Sequence, residues 1–232
     1  MAIHLVDGSS DWIDLGQPNS LSQGESAMTI TGHYYFDNNN ESNFIDLSRN
    51  TASTSRLEVR RLSGGAIRGG GRAPDSDSFQ SSTSSGTIPQ QTYVNLANVF
   101  NVANDDYLVY EDGASFHTDN SFGFTNAAYD NTTSQHGGIG TEADGTPVKS
   151  DFIVEDKRLY NRELSAAEIA TIDACQGHDG IVYGLVAHYR MDELPSGTTA
   201  TNVTDYSGNK TDVSPISSPS HDNIRLSYRK RV

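Results

Sequence analysis

Apolar and polar residues alternate with a period of two over much of the chain, the pattern of half-buried β-strands rather than helices. The clearest run is 28–36, where Met28, Ile30, Tyr34 and Phe36 alternate with Thr29, Thr31, His33 and Tyr35, so one side faces a core. This predicts a central strand. Ile3, Leu5 and Val6 open an edge strand that breaks at Asp7-Gly8, and Trp12, Ile13 and Leu15 resume the apolar pattern. Asp37 to Glu41 cannot continue a strand and marks a loop, after which 44–47 pairs back. In 56–62, Leu57 and Val59 oppose Arg56, Glu58 and Arg60, which predicts a half-solvated antiparallel strand with a charged outer face. Tyr93–Phe100 and Tyr107–Gly113 form a strand pair, with Asp112-Gly113 as a tight hairpin turn. Between Ser63 and Gln91, glycine, serine and arginine dominate, and a long loop or a weak, twisted edge strand is expected.

The period changes once. Phe152, Val154 and Leu159 are strand positions; Ser165 then fits an N-cap, Glu168 closes a capping box, and Leu164 can staple onto Ile169. One short helix starts here. Beyond Cys175, residues 181–191 form a compact apolar run, and Pro215 and Pro219 predict an extended arm after Val213. The chain divides into a principal domain, 1–175, and a C-terminal extension, 176–232, too short for a second sandwich and able to lend a strand or two.

Composition supports a mostly β chain: hydrophobic residues make up 34% of 232, and polar turn formers are abundant. The formal net charge of −14 disfavours nucleic acid and anionic membranes as partners. Arg225, Arg229, Lys230 and Arg231 reverse that sign at the C-terminus and suggest either a solubilising tail or an arm that docks on an acidic neighbouring subunit. A single cysteine, Cys175, excludes an internal disulfide, is expected to be structural, and fits synthesis in a reducing cytoplasm. No signal peptide or transmembrane stretch is expected.

Several segments carry a resemblance. The passage "R-L-Y-N-R-E-L-S-A-A-E-I" from Arg158 to Ile169 resembles the last strand and closing helix of laminin-G-like domains, within the concanavalin A-like lectin and glucanase jelly rolls. "V-D-G-S-S-D-W-I-D-L-G" from Val6 to Gly16 is similar to that family's opening, and Gly137-Gly-Ile-Gly140 to its penultimate strand. Around Tyr93-Val-Asn95 the match is partial, since tryptophan and histidine are usual where Tyr93 and Asn95 stand. Residues 184–209 resemble the start of a second unit. The implied fold is all-β: an antiparallel β-sandwich (concanavalin A-like jelly roll) with one short helix and a C-terminal extension.

Glucanases of this superfamily carry a run resembling E-x-D-x-x-E on one strand, which places two carboxylates on one face. The chain has none, and Asp105, Asp106, Glu111 and Asp112 read as turn carboxylates. Seven histidines lack metal-ligand spacing, no Gly-x-Ser-x-Gly elbow occurs, and Arg68-Gly-Gly-Gly-Arg72 lacks the context of a phosphate cradle. No cofactor is expected. For a structural calcium, Asp37–Glu41, Asp7, Asp11 and Glu155 offer oxygen ligands, and no ligand set is singled out. Trp12, Tyr35, Tyr110, Tyr129 and Phe122 are available as a sugar platform, with Trp12 and Tyr35 foremost, against the alternative that such aromatics fill the core.

A laminin-G-like domain without an export signal suggests delivery outside the cell on a particle. The expectation is therefore a non-catalytic, self-associating phage virion protein, a capsid decoration (cement) or fibre component made in the host cytoplasm, contacting other capsid subunits. The alternative is a carbohydrate-binding module recognising host or environmental glycans; a glycoside hydrolase is the third reading.

Overall fold

The computed structural model describes residues 2–6, 11–16, 26–48, 56–72, 78–123, 136–141, 151–175, 178–192, 199–209, 214–216 and 219–222. In chain order the elements are β1 (Ala2–Leu5), β2 (Trp12–Gly16), β3 (Ala27–Phe36), β4 (Ser42–Ser48), β5 (Arg56–Arg61), β6 (Ile67–Arg72), β7 (Gln80–Thr83) and β8 (Tyr93–Asn101). They continue with β9 (Asp106–Glu111), β10 (Ala114–Asp119), β11 (His136–Ile139), β12 (Phe152–Tyr160), α1 (Ala166–Cys175), β13 (Leu185–Tyr189), β14 (Ser214–Ile216) and β15 (Ser220–Asp222). One sheet runs β10-β9-β8-β3-β12-β1-β15, with β13 also paired to β12; the second runs β14-β2-β11-β4-β5-β6-β7. Every pairing is antiparallel.

The inward side chains of the two sheets meet in one hydrocarbon layer. Its centre is aromatic: the Tyr34 ring stacks on Phe44 at 4.4 Å, with Phe36 and Phe152 around them. The period-two pattern of 28–36 thus faces its even-numbered apolar side inward, as the sequence predicts. Phe122 also belongs to this core rather than to a platform.

Lys157 is set into the same layer, fully buried, its ammonium 2.5 Å from the Tyr34 hydroxyl. Burial pulls its pKa from 10.5 down to about 7.

Of the two expectations for the glycine-rich segment the edge strand holds: its described residues include β6 and the edge strand β7. Glycine is required in β6 because a Cβ on Gly69 would meet the Tyr107 ring at 2.3 Å and one on Gly70 would meet Phe79 at 2.4 Å. Aromatic rings lie directly on that backbone from both sides. β7 is the edge strand beyond it.

The expected solvation of Arg56, Glu58 and Arg60 is overturned, although their alternation holds. They point away from the hydrocarbon layer, yet all three are buried, in a network that also takes in Asp46 of β4 and Arg68 of β6. A strand's alternation reports its two faces but not whether a face is wet. Arg61, next along and inward, lies over the Phe36 ring and donates to the carbonyls of Ile88, Asn38 and Asn40 and to Asn39 Oδ1.

The helix begins as predicted: the Glu168 N–H donates to Ser165 Oγ at 3.3 Å, and the Ser165 N–H to Glu168 Oε2 at 2.9 Å. Leu164, Ile169 and Ile172 then pack with Ala97, Val99 and Tyr160, so α1 covers one end of the outward face of the β8–β12 sheet. Ser165→Ala should lower unfolding free energy by about 1 kcal/mol, read by denaturant titration; an unchanged midpoint would contradict the cap assignment. Cys175, expected to be structural, is instead exposed in the last turn of α1. Residues of the C-terminal extension pair into both sheets through β13, β14 and β15, so the segment after Val213 includes two short strands in place of a purely extended arm.

Candidate functional site

The outward face of the β8–β3–β12–β13 sheet, beyond the part covered by α1, holds a polar network without counterpart in the sequence reading. Register makes it. Pairing of β3 with β8 sets His33 opposite Asn95 and Tyr35 opposite Tyr93, while β12 with β13 sets Arg158 opposite His188. Between Glu155 and Arg158 the register shifts, and Asp156 takes a φ of 48°. This bulge carries Asp156 onto the outward face, between the histidines of two different strands.

The contacts are specific. The Asn95 amide meets His33 Nε2 at 2.8 Å, and the other ring nitrogen of His33 is 3.8 Å from Asp156 Oδ2. Asp156 accepts from His188 Nε2 at 2.7 Å and takes Arg158 in a two-pronged grip at 2.9 and 3.0 Å. Arg158 also donates to Asp179 at 2.9 Å. Burial opposes the charge on Asp156, but the His188 hydrogen bond and the Arg158 guanidinium outweigh it and hold this carboxyl below its usual value. Burial lowers His33 to about 4, although Asp156 pulls the other way. The ring is therefore neutral at physiological pH.

Aromatic rings bracket the network. On one side Tyr35 and Tyr93, both half-buried, lie 4.6 Å apart. On the other, Tyr206 is 47% exposed, edge-on to His188 at 6.3 Å and beneath the Arg190 guanidinium at 5.3 Å. Its place is fixed by the backbone: Tyr206 N–H donates to the His188 carbonyl, and Asp205 accepts from the His188 N–H at 2.9 Å. β3 and β13 both pair with β12, and Asp205 bridges to Tyr189 on the far side of β13, so Tyr35–Tyr93 and Tyr206 lie on opposite sides of the Asp156–Arg158 bulge.

The two foremost sugar-platform candidates do not meet. Tyr35 lies on this face, whereas Trp12 stands on the outward face of the other sheet, beside Gly138, because its neighbours Ile13 and Leu15 take the core. Tyr110 is half-buried against the α1 cluster. Tyr129, Asp7 and the basic residues Arg225, Arg229, Lys230 and Arg231 lie outside the described residues.

Of the calcium candidates, the Asp37–Glu41 loop turns two carbonyls and the Asn39 side-chain oxygen toward the Arg61 guanidinium, which disfavours a cation at those atoms. Asp11 is buried, and burial pushes Glu155 up to about 7. Asp37 points elsewhere, toward His4 and Asp151.

His33, Asp156, Arg158, His188 and Tyr206 were not singled out from sequence. One signal was present for Asp156. Val154 and Leu159 both face the core, but they are five residues apart, an odd number that a regular strand cannot accommodate without an extra residue.

Comparison with known proteins fits this architecture. Residues 7–170 match the family profile described as concanavalin A-like lectin/glucanases superfamily. No curated protein sequence matches the chain. Among solved structures, a Bacteroides ovatus protein provisionally named carbohydrate-binding aligns with a TM-score of 0.70 at 11% identity, over 95% of this chain and 59% of its own. This chain thus spans little more than half of that protein. The CBM40 domain of the Ruminococcus gnavus IT-sialidase, solved with α2,3-sialyllactose, aligns with a TM-score of 0.55 at 14% identity, over 74% of this chain and 95% of its own. A heptameric SAP-like pentraxin of Limulus polyphemus aligns with a TM-score of 0.50 at 15% identity, over 75% and 86%. At these identities the likeness establishes the fold.

Proposed function

The chain belongs to the concanavalin A-like lectin/glucanases superfamily, and from that premise we propose that it is a non-catalytic carbohydrate-binding module whose glycan lies on the outward face of the β8–β3–β12–β13 sheet. The observation that carries this reading is the fixed polar strip between two aromatic sites, Tyr35–Tyr93 and Tyr206. A sugar ring offers C–H groups to an aromatic face and hydroxyls to charged or amide partners; the accessible edge of the strip presents both in Tyr206, His188 and Arg190, held from beneath by the buried His33, Asn95, Asp156 and Arg158.

The same geometry argues against Asp156 or Asp179 as a hydrolytic acid, whereas Glu155, opposite His33, is pushed up to about 7 by burial. A glycosidase needs one carboxyl that stays protonated to act as acid, facing a second across the scissile bond. Asp156 and Asp179 are both tied to Arg158, and despite burial both are held below their usual values by it and by their other hydrogen bonds. Each suits fixed hydrogen-bond acceptance better than proton donation.

The names of the B. ovatus and R. gnavus structures support carbohydrate binding over a virion role, which no observation in the fold favours. A glycan microarray probed with the full chain tests the proposal. Binding should fall at least about tenfold in Tyr206→Ala and in Tyr35→Ala and stay unchanged in Trp12→Ala. Loss in the Trp12 variant alone would move the site to the opposite sheet, and an array blank at high protein concentration would remove the reading.

A further inference from the structure

His4, Asp37 and Asp151 converge at one end of the β3–β12–β1 part of the sheet, contributed by three separate strand ends. His4 Nε2 is 3.0 Å from Asp37 Oδ2 and 3.3 Å from Asp151 Oδ1, and all three ligand-type atoms lie within 4.8 Å of one another. A neutral imidazole has at most one proton on this nitrogen, yet it faces two carboxylates. Ligand atoms bound at about 2.0–2.2 Å around one tetrahedral or octahedral ion sit about 3.0–3.5 Å apart, which is the spacing on both sides of His4.

The three groups are held from outside. The Asp37 N–H donates to the Asp151 carbonyl at 3.2 Å and closes the β3–β12 ladder at that point. β1 fixes His4 by pairing it with Ile153. The Asn38 amide donates to Asp151 Oδ2 at 2.5 Å, which leaves Oδ1 turned to His4. An outer hydrogen bond of this kind orients a ligating carboxylate and fixes which oxygen it presents.

We propose that His4, Asp37 and Asp151 form a binding site for a divalent transition cation of the zinc class, which staples β1, β3 and β12 together at their shared end. One imidazole and two carboxylates, each giving one atom, suit zinc better than calcium, which takes six or more oxygen ligands. All three side chains are half-buried, so an ion reaches them from solvent and keeps open positions for water. The site adjoins the Tyr35 end of the proposed glycan face, since Tyr35 pairs with Ile153 and Ile153 with His4, but zinc titration without any glycan reads it independently of that proposal.

The test uses the full chain, stripped with chelator and titrated by calorimetry with ZnCl2, and in parallel with CaCl2, with thermal melting as a second readout. Saturable one-to-one zinc binding is expected, tighter than calcium by at least about tenfold, with a rise in melting temperature at saturating zinc. Binding should weaken at least about tenfold in His4→Gln and in Asp151→Asn. Asn38→Ala leaves all three ligands in place and should weaken zinc by a smaller factor, which guards against a variant that fails to fold. Absence of saturable zinc binding, or zinc binding undiminished in both ligand variants, would overturn the assignment.

Discussion

Lys157→Met raises stability at neutral pH by about 2–4 kcal/mol, because it removes an amine that folding strips of water. Lys157 is fully buried in the hydrocarbon layer and touches the Tyr34 hydroxyl. Its pKa falls from 10.5 to about 7 through burial, so the folded state gives up a proton that the unfolded chain keeps. Between pH 7 and 10.5 the unfolded state binds more protons, so stability of the parent protein rises with pH across that window. Below pH 7 both states are protonated and the full cost is present. The advantage of the Met variant should therefore be largest below pH 7 and shrink as pH approaches 10.5. Denaturant titrations of both proteins at pH 6, 8 and 10 measure this; an advantage independent of pH would mean that the amine is solvated. Tyr34→Phe alone should destabilise, since it removes the hydroxyl partner of the amine while leaving the amine buried.

The second large effect belongs to Glu58. Its carboxylate contacts the guanidinium groups of Arg56, Arg60 and Arg68, and it is 1% exposed. Asp46, the other buried carboxyl of the network, is a poor substitute: burial drives its pKa up to about 7 despite the Arg56 guanidinium 2.7 Å away. Glu58→Gln keeps the shape and deletes the charge, so three guanidinium groups lose their common anion. A loss of about 3–5 kcal/mol is expected by denaturant titration, as when one member of a buried ion cluster is removed. A loss under about 1 kcal/mol would show that water reaches the cluster and screens it.

Much of the scaffold was legible because strands announce themselves locally. The alternation in 28–36, the Asp112-Gly113 hairpin with positive φ at both residues, and the Ser165 capping box all appear where periodicity and turn chemistry place them. The Gly69–Gly71 run left a loop and an edge strand both open because glycine usually signals a loop, whereas here it permits close approach of the Tyr107 and Phe79 rings to a strand. Burial of Arg56, Glu58 and Arg60 was hidden for a related reason: alternation is a property of one strand, and burial depends on what lies over it.

The candidate site was less legible, because it depends on pairings between strands far apart in sequence. His33 and Asn95 are 62 residues apart, and Asp156 and His188 are 32 apart; only register brings them together. The partial match at Tyr93-Val-Asn95 is informative in this light. Where histidine is usual, Asn95 stands, and the imidazole beside it comes from His33 on the neighbouring strand. Tyr206 belongs to the C-terminal extension, whose pairing with β12 through β13 was not specified by its own pattern.

The central claim is that sugar is held on one outward sheet face by fixed polar groups between tyrosines. Titrating an array-selected oligosaccharide into 15N-labelled protein, followed by backbone amide shifts, tests it most directly. Shifts should concentrate at His33, Asn95, Asp156, Arg158, His188 and Tyr206 and leave Trp12 and the β5–β6 strands unmoved. Shifts centred on Trp12 and β5–β6 instead would contradict the account.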